Sequence, residues 1–242
     1  MERVPRNEGI EPRSRFMVLI RHGNSEWNLG NRFTGWTDIL LNEPGIVQAA
    51  KAGERLAQAG YSFDEVHTSV LRRTGETADS LLGAMHHPPI PYHASWRLNE
   101  RHYGQLQGMK KHDIMTAWGE QDFHRWWRGY FDPPPPLDMD DPRHPRFDPL
   151  FADIPPELLP RSESLQDCQR RLLPWWHEVI VPRIAAGKKL LVVSHGNTLR
   201  SLVMHLDRIA PPDIEKVEIP SGVQLVYRFD PAGDVTGKEW LE

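Results

Sequence analysis

Two histidines in this sequence stand at the same kind of place. The continuous apolar run at residues 16–20 ends on Arg21-His22-Gly23, and the run in KKLLVVSHGN ends on His195-Gly196-Asn197. Short runs of this kind are the pattern of strands covered on both faces. Ligands of open α/β sheets bind beyond the carboxyl ends of their strands, so both histidines are expected to face one crevice. Their neighbours suit an anion. Arg21 offers a planar fork of donors, the glycines allow close backbone approach, and Gly196-Asn197 opens a helix whose free N–H groups attract phosphate. Any one histidine is as readily a packed or solvent-facing side chain; recurrence of the pattern at a second strand end weighs against that.

Elements able to hold such a site can be read on either side of these motifs. EPGIVQAAKAGERLAQAGY, from Glu43, places Ile46, Ala49, Ala50, Gly53, Leu56 and Ala57 at helical spacing, with Pro44 near the start and Gly60 at the end. Residues 63–69 read as a second strand, and the helix that follows carries Val70, Thr74, Ala78 and Leu81 near one face. Strand, helix, strand, helix implies parallel pairing with right-handed crossovers. Leu165, Cys168, Leu172, Trp175, Trp176 and Val179 mark a long helix that tolerates or bends at Pro174. A last strand is expected at 223–229, followed by a short tail. The fold class expected is α/β, a three-layer α/β/α sandwich with a mostly parallel central sheet and the site at its carboxyl edge. Residues 1–14 lack apolar periodicity and read as a mobile leader; 15–242 read as one catalytic domain. Residues 132–160 contain ten prolines, which rules out regular helix or central strand there. Phe131, Leu137, Phe147, Leu150 and Phe151 supply enough apolar surface for an ordered excursion lying on the domain.

Composition excludes several classes. A formal net charge of −4 over 242 residues gives no general reason to bind nucleic acid, so basic residues that serve an anionic partner must be gathered locally. No apolar run is long enough to cross a bilayer and the basic start lacks a signal-peptide pattern, which points to the cytoplasm and to no membrane partner. A single cysteine, Cys168, excludes an intrachain disulfide framework and a multi-thiolate metal site, and it is expected to pack as a small apolar side chain. The ten other histidines, including the His86-His87 pair, have no strand-end context and read as loop or surface residues. No carboxylate or cysteine stands at ligand spacing beside that pair, and no metal is expected.

LIRHGNSEWNLGNRFTGWTD, TSVLRRT, WRLNERHYGQLQG, SHGNTLRSLV and EIPSGVQLVY occur in this order between residues 16 and 230. Together they closely resemble the cofactor-dependent phosphoglycerate mutases of the histidine phosphatase superfamily. FTGW followed by LNERHYG is much more specific to the mutase branch than RHG. The resemblance implies that His22 is a nucleophile carrying a phosphoryl group, which requires a neutral nitrogen with a free lone pair and a hydrogen bond fixing the other nitrogen. It implies that Arg21, Arg73 and His195 form the phosphate pocket, where charge on the equatorial oxygens must be stabilised. Glu100 matches the proton donor and acceptor. Asn28, Thr34, Gly35, Tyr103, Lys111, Arg128, Gly196 and Asn197 match positions that hold the phosphates and carboxylate of the glycerate. The implied activity is interconversion of 3-phosphoglycerate and 2-phosphoglycerate, a step of glycolysis and gluconeogenesis, through a phosphohistidine and 2,3-bisphosphoglycerate. That bisphosphate would be primer and intermediate together, with no metal, in a homodimer or homotetramer.

Departures from the pattern keep a second reading open. The family commonly has two adjacent arginines where this chain reads Trp126-Trp127-Arg128, so Trp127 replaces one cation; Arg125 is a candidate to compensate. Many members continue past the last strand into a tail that covers the site, whereas this chain stops at Glu242. A less sheltered phosphohistidine would admit water. The alternative is therefore a phosphohistidine-type phosphatase acting on a small phosphorylated metabolite. Asn24 stands where many relatives carry glutamate and is expected to tune the site. A non-catalytic phospho-ligand module on this fold would lack members of the set His22, Arg21, Arg73, Glu100 and His195, all of which are present.

Overall fold

The run at 16–20 lies at the centre of β1 (Arg15–Arg21), the five interior residues of which are all buried. The structure is a computed structural model describing residues 15–241, so the expectation of a mobile leader at 1–14 lies outside the described residues. After β1 come α1 (Glu26–Leu29), α2 (Glu43–Gln58), β2 (Glu65–Thr68), α3 (Arg72–Ala84) and β3 (Tyr92–Ala94). Then follow α4 (Lys111–Trp118), α5 (Glu120–Arg128), α6 (Leu165–Trp175), α7 (Val181–Ala185), β4 (Leu190–Ser194), α8 (Gly196–Leu206), β5 (Gln224–Phe229) and β6 (Val235–Leu241). The six strands form one sheet in the order β3-β2-β4-β1-β5-β6. The first four run parallel, and β5 and β6 are antiparallel additions at one edge.

Alternation along β1 divides the core in two. Met17 and Leu19 join Leu190 and Val192 against Leu172, Trp175 and Trp176 and against Leu199, Leu202 and Val203 of α8. Phe16, Val18 and Ile20 join Val66, Leu191 and Val193 against Ala52 and Leu56 of α2 and Ala78 and Leu81 of α3. These are the three layers expected. Register does the rest of the positioning: Arg21 pairs with Ser194 in the parallel β1–β4 ladder, so His22 and His195 leave the sheet at the same level.

Four details refine the sequence reading, the first two as differences. On α2 the buried face is Gly45, Ala49, Ala52, Gly53 and Leu56, while Ile46 is 47% exposed; a Cβ on Gly53 would stand 2.1 Å from the Leu81 carbonyl oxygen, so close packing on α3 selects small residues over large ones. Residues after β5 form a strand, β6, where a short tail was expected; its sequence VTGKEWL has no apolar run because it pairs only with β5. Pro174 is carried inside α6, as expected of a helix that tolerates it, and the chain then widens into a π-helical turn over Trp176–Ile180 before α7, which carries Pro182 in its first turn. Within 132–160 there is neither α-helix nor strand, only the 3-10 turns Pro145–Phe147, Pro149–Phe151 and Pro156–Leu158. Leu137 and Phe151 are buried, but Phe131, Phe147 and Leu150 are exposed.

No helix of the described residues is long and apolar enough to cross a membrane. Cys168 is fully buried in α6, where burial pushes its thiol up to about 11 and leaves it protonated and inert.

Candidate active site

Beyond the ends of β1 and β4 opens a cavity of about 220 Å³. Of the residues singled out in the sequence, Arg21, His22, Asn28, Thr34, Gly35, Arg73, Glu100, Tyr103, Lys111, Arg128, Gly196 and Asn197 all line it. His195 does not.

His22 is 3% exposed, and its Nδ1 lies 2.7 Å from the carbonyl oxygen of Gly23. A carbonyl can only accept, so Nδ1 carries the ring proton and Nε2 is left with its lone pair. Burial, then the charges of Arg73 and Arg21, hold the His22 pKa well below 6.5, so the ring is neutral near pH 7. Gly23 has a packing reason for being glycine: a Cβ there would lie 2.4 Å from the Gly45 carbonyl oxygen at the start of α2. At Gly196 a Cβ would only touch the Arg21 guanidinium at 3.5 Å.

Arg73 is fully buried at the start of α3. Its Nη1 and Nη2 donate to the carbonyls of Thr37 and Gly35 at 2.9 and 2.8 Å, and its Nε donates to His195 Nδ1 at 3.2 Å. His195 Nδ1 is therefore an acceptor, and Nε2 donates to Ser69 Oγ at 2.8 Å. With both nitrogens engaged, His195 sits behind the cavity wall, its ring 5.0 Å from that of His22. Sequence reasoning placed its imidazole on the phosphate. In this structure the ring orients Arg73 and packs against His22; with Nδ1 accepting from Arg73, the N–H it could offer an anion is on Nε2, which Ser69 Oγ holds. Gly35 has φ +55°, and a Cβ on it would come within 2.0 Å of Gln107 Oε1, so this carbonyl acceptor for Arg73 requires glycine.

Glu100 lies 8% exposed across the cavity. Its Oε1 accepts from Arg101 N at 2.8 Å and from Asn197 N, in the first turn of α8, at 3.2 Å. Oε2 receives no hydrogen bond from the described residues. The backbone beneath is pinned: Trp36 Nε1 donates to the Glu100 carbonyl at 2.7 Å, Thr198 Oγ1 to the Asn99 carbonyl at 2.6 Å, and Arg171 Nη2 to both at 3.3 and 3.1 Å. Arg171 is itself held by a buried ion pair with Glu163 at 2.7 Å.

Tyr103 and Asn197 are joined, Asn197 Nδ2 donating to the phenolic oxygen at 2.7 Å. Asn28 Oδ1 accepts from the backbone and hydroxyl of Ser25 at 3.0 and 2.8 Å, which caps α1 and points the amide at the cavity it lines. Trp127, where a cation was expected, is flanked by two: Lys111 Nζ and the Arg128 guanidinium each lie 4.9 Å from its ring. Burial, then Arg21 and Arg128, lowers the Lys111 pKa. Arg125, the candidate to compensate for Trp127, points elsewhere, to Asp122 at 2.5 Å.

Three charged lining residues were missed in the sequence. Arg200 is 4% exposed and donates to Asn197 Oδ1 at 3.0 Å and to the Ile214 carbonyl at 2.7 Å; burial lowers its pKa to about 10, which leaves it charged near pH 7. Its spacing of four from Gly196 on α8 was the available signal. Arg32 Nη1 donates to the Gly108 carbonyl at 2.6 Å, and Glu218 pairs with Arg128; neither sits in a periodic pattern that could have revealed it. The cavity thus gathers six cations, Arg21, Arg32, Arg73, Lys111, Arg128 and Arg200, against the carboxylates Glu100 and Glu218, in a chain of net charge −4. Lys111, Trp127 and Arg128 come from the segment 110–131, whereas no residue of the 132–160 excursion lines the cavity. That excursion instead braces the site from behind, with Phe151 against Trp36 at 4.8 Å.

Among the remaining histidines, His67, within β2, and His102 and His144, in irregular segments, are buried, contrary to the reading of surface residues. His87 is fully engaged, accepting from Phe63 N at 3.0 Å and bonding the Pro88 carbonyl at 2.8 Å. Among the described residues no group of three or more His, Cys, Asp or Glu is arranged to hold a metal ion.

The family model of the histidine phosphatase superfamily (branch 1) matches residues 17–144 and 138–236. The 2,3-bisphosphoglycerate-dependent phosphoglycerate mutase of Nitratidesulfovibrio vulgaris is 49% identical over 214 residues, covering 88% of this chain and 86% of that protein. The protein of the same name from Nitrosococcus oceani is 46% identical over 225 residues, 93% of this chain and 94% of that one. Among solved structures, Bacillus stearothermophilus YhfR superposes with a TM-score of 0.68 at 25% identity, over 91% of this chain and 93% of that one. Mycobacterial hydrolase 1, at 21% identity and a TM-score of 0.69 over 94% and 96% of the two chains, shares the fold. Sequence, architecture and cavity agree: the chain belongs to the histidine phosphatase superfamily and, within it, to the family of 2,3-bisphosphoglycerate-dependent phosphoglycerate mutases.

Proposed function

We propose that this chain interconverts 3-phosphoglycerate and 2-phosphoglycerate, with residues 15–242 acting as one catalytic domain in the cytoplasm. The observation that carries the reading is the pinned, neutral His22 facing a cavity with cations around it and a carboxylate opposite. His22 Nε2 attacks phosphorus, the N–P bond forming as the P–O bond to the departing alkoxide breaks, and Glu100 supplies that alkoxide with its proton. In the reverse sense Glu100 takes the proton of an attacking hydroxyl while the N–P bond breaks. Arg21 and Arg73 stabilise charge on the transferring oxygens. Lys111, Arg128, Arg200, Asn28, Thr34, Tyr103 and Asn197 hold the remainder of the glycerate, and turnover between the two isomers requires it to reorient in place.

The donor set suits a bisphosphorylated glycerate: six cations line one cavity, and Arg21 Nε and Arg200 Nε are buried donors without a protein acceptor. Bound there, 2,3-bisphosphoglycerate supplies the phosphoryl group that primes His22. No metal enters this scheme. Assembly as a homodimer or homotetramer belongs to the same proposal and is read by light scattering.

Exposure to labelled 2,3-bisphosphoglycerate tests the chemistry. Acid-labile, base-stable label on the wild-type chain and none on a folded His22→Ala variant is expected; label retained by His22→Ala would sink the mechanism. A phosphatase would label the same histidine but release phosphate in place of isomer, and the lost cation at Trp127 makes that the reading to measure against.

A further inference from the structure

The far end of the cavity carries a contact that the transfer chemistry does not use. Arg128 is 17% exposed at its side chain and lines the cavity, yet its Nη2 is paired with Glu218, whose side chain is 71% exposed on the opposite wall. That wall, residues 217–221, is fixed independently: Arg21 Nη1 donates to the Ile219 carbonyl at 3.1 Å, and Arg21 forms a bridge with Ser221. Arg128 is fixed as well, by the face of Trp127 and by the end of α5, whose Arg128 carbonyl accepts from Arg200 at 3.1 Å. Its guanidinium is therefore held in place while its charge is engaged by a solvent-facing carboxylate.

We propose that Glu218 is a displaceable counter-ion of Arg128, a specificity-determining residue that any ligand carboxylate or second phosphate must displace to occupy the far end of the cavity. This rests on the proposed glycerate function only for the identity of the ligand. Two consequences follow from electrostatics. An anion entering this end exchanges one exposed ion pair for another, so Glu218 weakens binding by the worth of that pair. Glu218 also repels ligands in proportion to their charge, so it penalises a bisphosphate more than a monophosphate. It acts through Arg128 and does not touch the reacting atoms, which places it among positioning residues.

The experiment is the equilibrium binding of 3-phosphoglycerate by calorimetry at low and moderate salt, in wild type, Glu218→Gln, Arg128→Gln and the double variant. Binding needs no turnover, so a wild type that fails to isomerise would refute the function while leaving this test intact. Glu218 is exposed and its substitution leaves the fold alone. Expected is a Kd about two- to five-fold lower in Glu218→Gln, the range of an exposed ion pair, with a larger drop for 2,3-bisphosphoglycerate measured in a His22→Ala background, which cannot take its phosphoryl group. The gain should shrink as salt rises and be mostly lost in the Arg128→Gln background, where only direct repulsion by Glu218 remains. An unchanged or raised Kd in Glu218→Gln would overturn the proposal, as would a gain undiminished by the loss of Arg128.

Discussion

Replacing Glu100 by glutamine separates proton transfer from every other task of this side chain. Glutamine keeps an oxygen at the Oε1 position, able to accept from Arg101 N and Asn197 N as the carboxylate does at 2.8 and 3.2 Å. Trp36, Thr198 and Arg171 hold the backbone and are untouched. What is lost is the titratable oxygen facing the cavity. General acid–base catalysis is worth about 10²–10⁴ in rate, so kcat for isomerisation should fall by that factor, roughly 3–5 kcal/mol of transition-state stabilisation. The stability of Glu100→Gln should stay within about 0.5 kcal/mol of wild type. Glu100→Ala is the contrasting variant: it strands two buried N–H donors at about 1–3 kcal/mol each and should lose stability as well as rate. Steady-state isomerisation and urea unfolding on the three proteins decide the matter. A Glu100→Gln enzyme within tenfold of wild type, folded and saturated, would refute the assignment of Glu100 as the proton carrier.

Other consequences can be checked alongside. Gly35→Ala should destabilise the protein by about 1–3 kcal/mol, from a positive φ and a Cβ at 2.0 Å from Gln107 Oε1, and should raise KM by moving an Arg73 acceptor; urea unfolding and kinetics report both. Trp127→Ala removes the surface that holds Lys111 and Arg128, and KM for 3-phosphoglycerate should rise roughly 3- to 30-fold from about 0.5–2 kcal/mol of cation–π interaction. Because the pKa of His22 is held well below 6.5, the kcat/KM profile should show no loss from its protonation near pH 6.5 as pH falls; an inflection there that disappears on substitution of a surface histidine would leave the argument standing, and one that tracks His22 would not. Stability has its own pH dependence: burial, aided by His144 and Arg171, lowers the His102 pKa to about 3, so below pH 6.5 the unfolded chain binds a proton that the folded chain refuses. This contribution is complete above pH 6.5 and is lost as pH falls, by about 2 kcal/mol between pH 7 and pH 5. Urea unfolding of His102→Gln should show a correspondingly weaker acid dependence.

What could be read from the sequence depended on periodicity. β1 and β4 announce themselves as apolar runs because both faces are covered, and the shared RHG and SHG endings therefore located the site. Buried cations were harder. Arg73 and Glu100 came from the family resemblance, since a lone charged residue in a helix or loop resembles any solvated one. Arg200 was legible in principle as the residue one helical turn beyond Gly196, but Arg32 and Glu218 sit in irregular segments without a pattern. His195 was placed in the phosphate pocket by resemblance, but its contact with Arg73 Nε could not be read, being a tertiary contact across 122 positions of sequence. β6 escaped notice for the opposite reason from β1: a strand paired on one side and mostly open to solvent needs no apolar run.

The central claim is that a phosphoryl group carried by His22 goes to another oxygen of the glycerate in preference to water. Its most direct test is one sample of 3-phosphoglycerate with EDTA, with and without catalytic 2,3-bisphosphoglycerate, in which 2-phosphoglycerate and free phosphate are followed together. The account predicts 2-phosphoglycerate formation that is stimulated by the bisphosphate and well in excess of phosphate release. Phosphate release without isomerisation would contradict it and make this cavity that of a phosphatase.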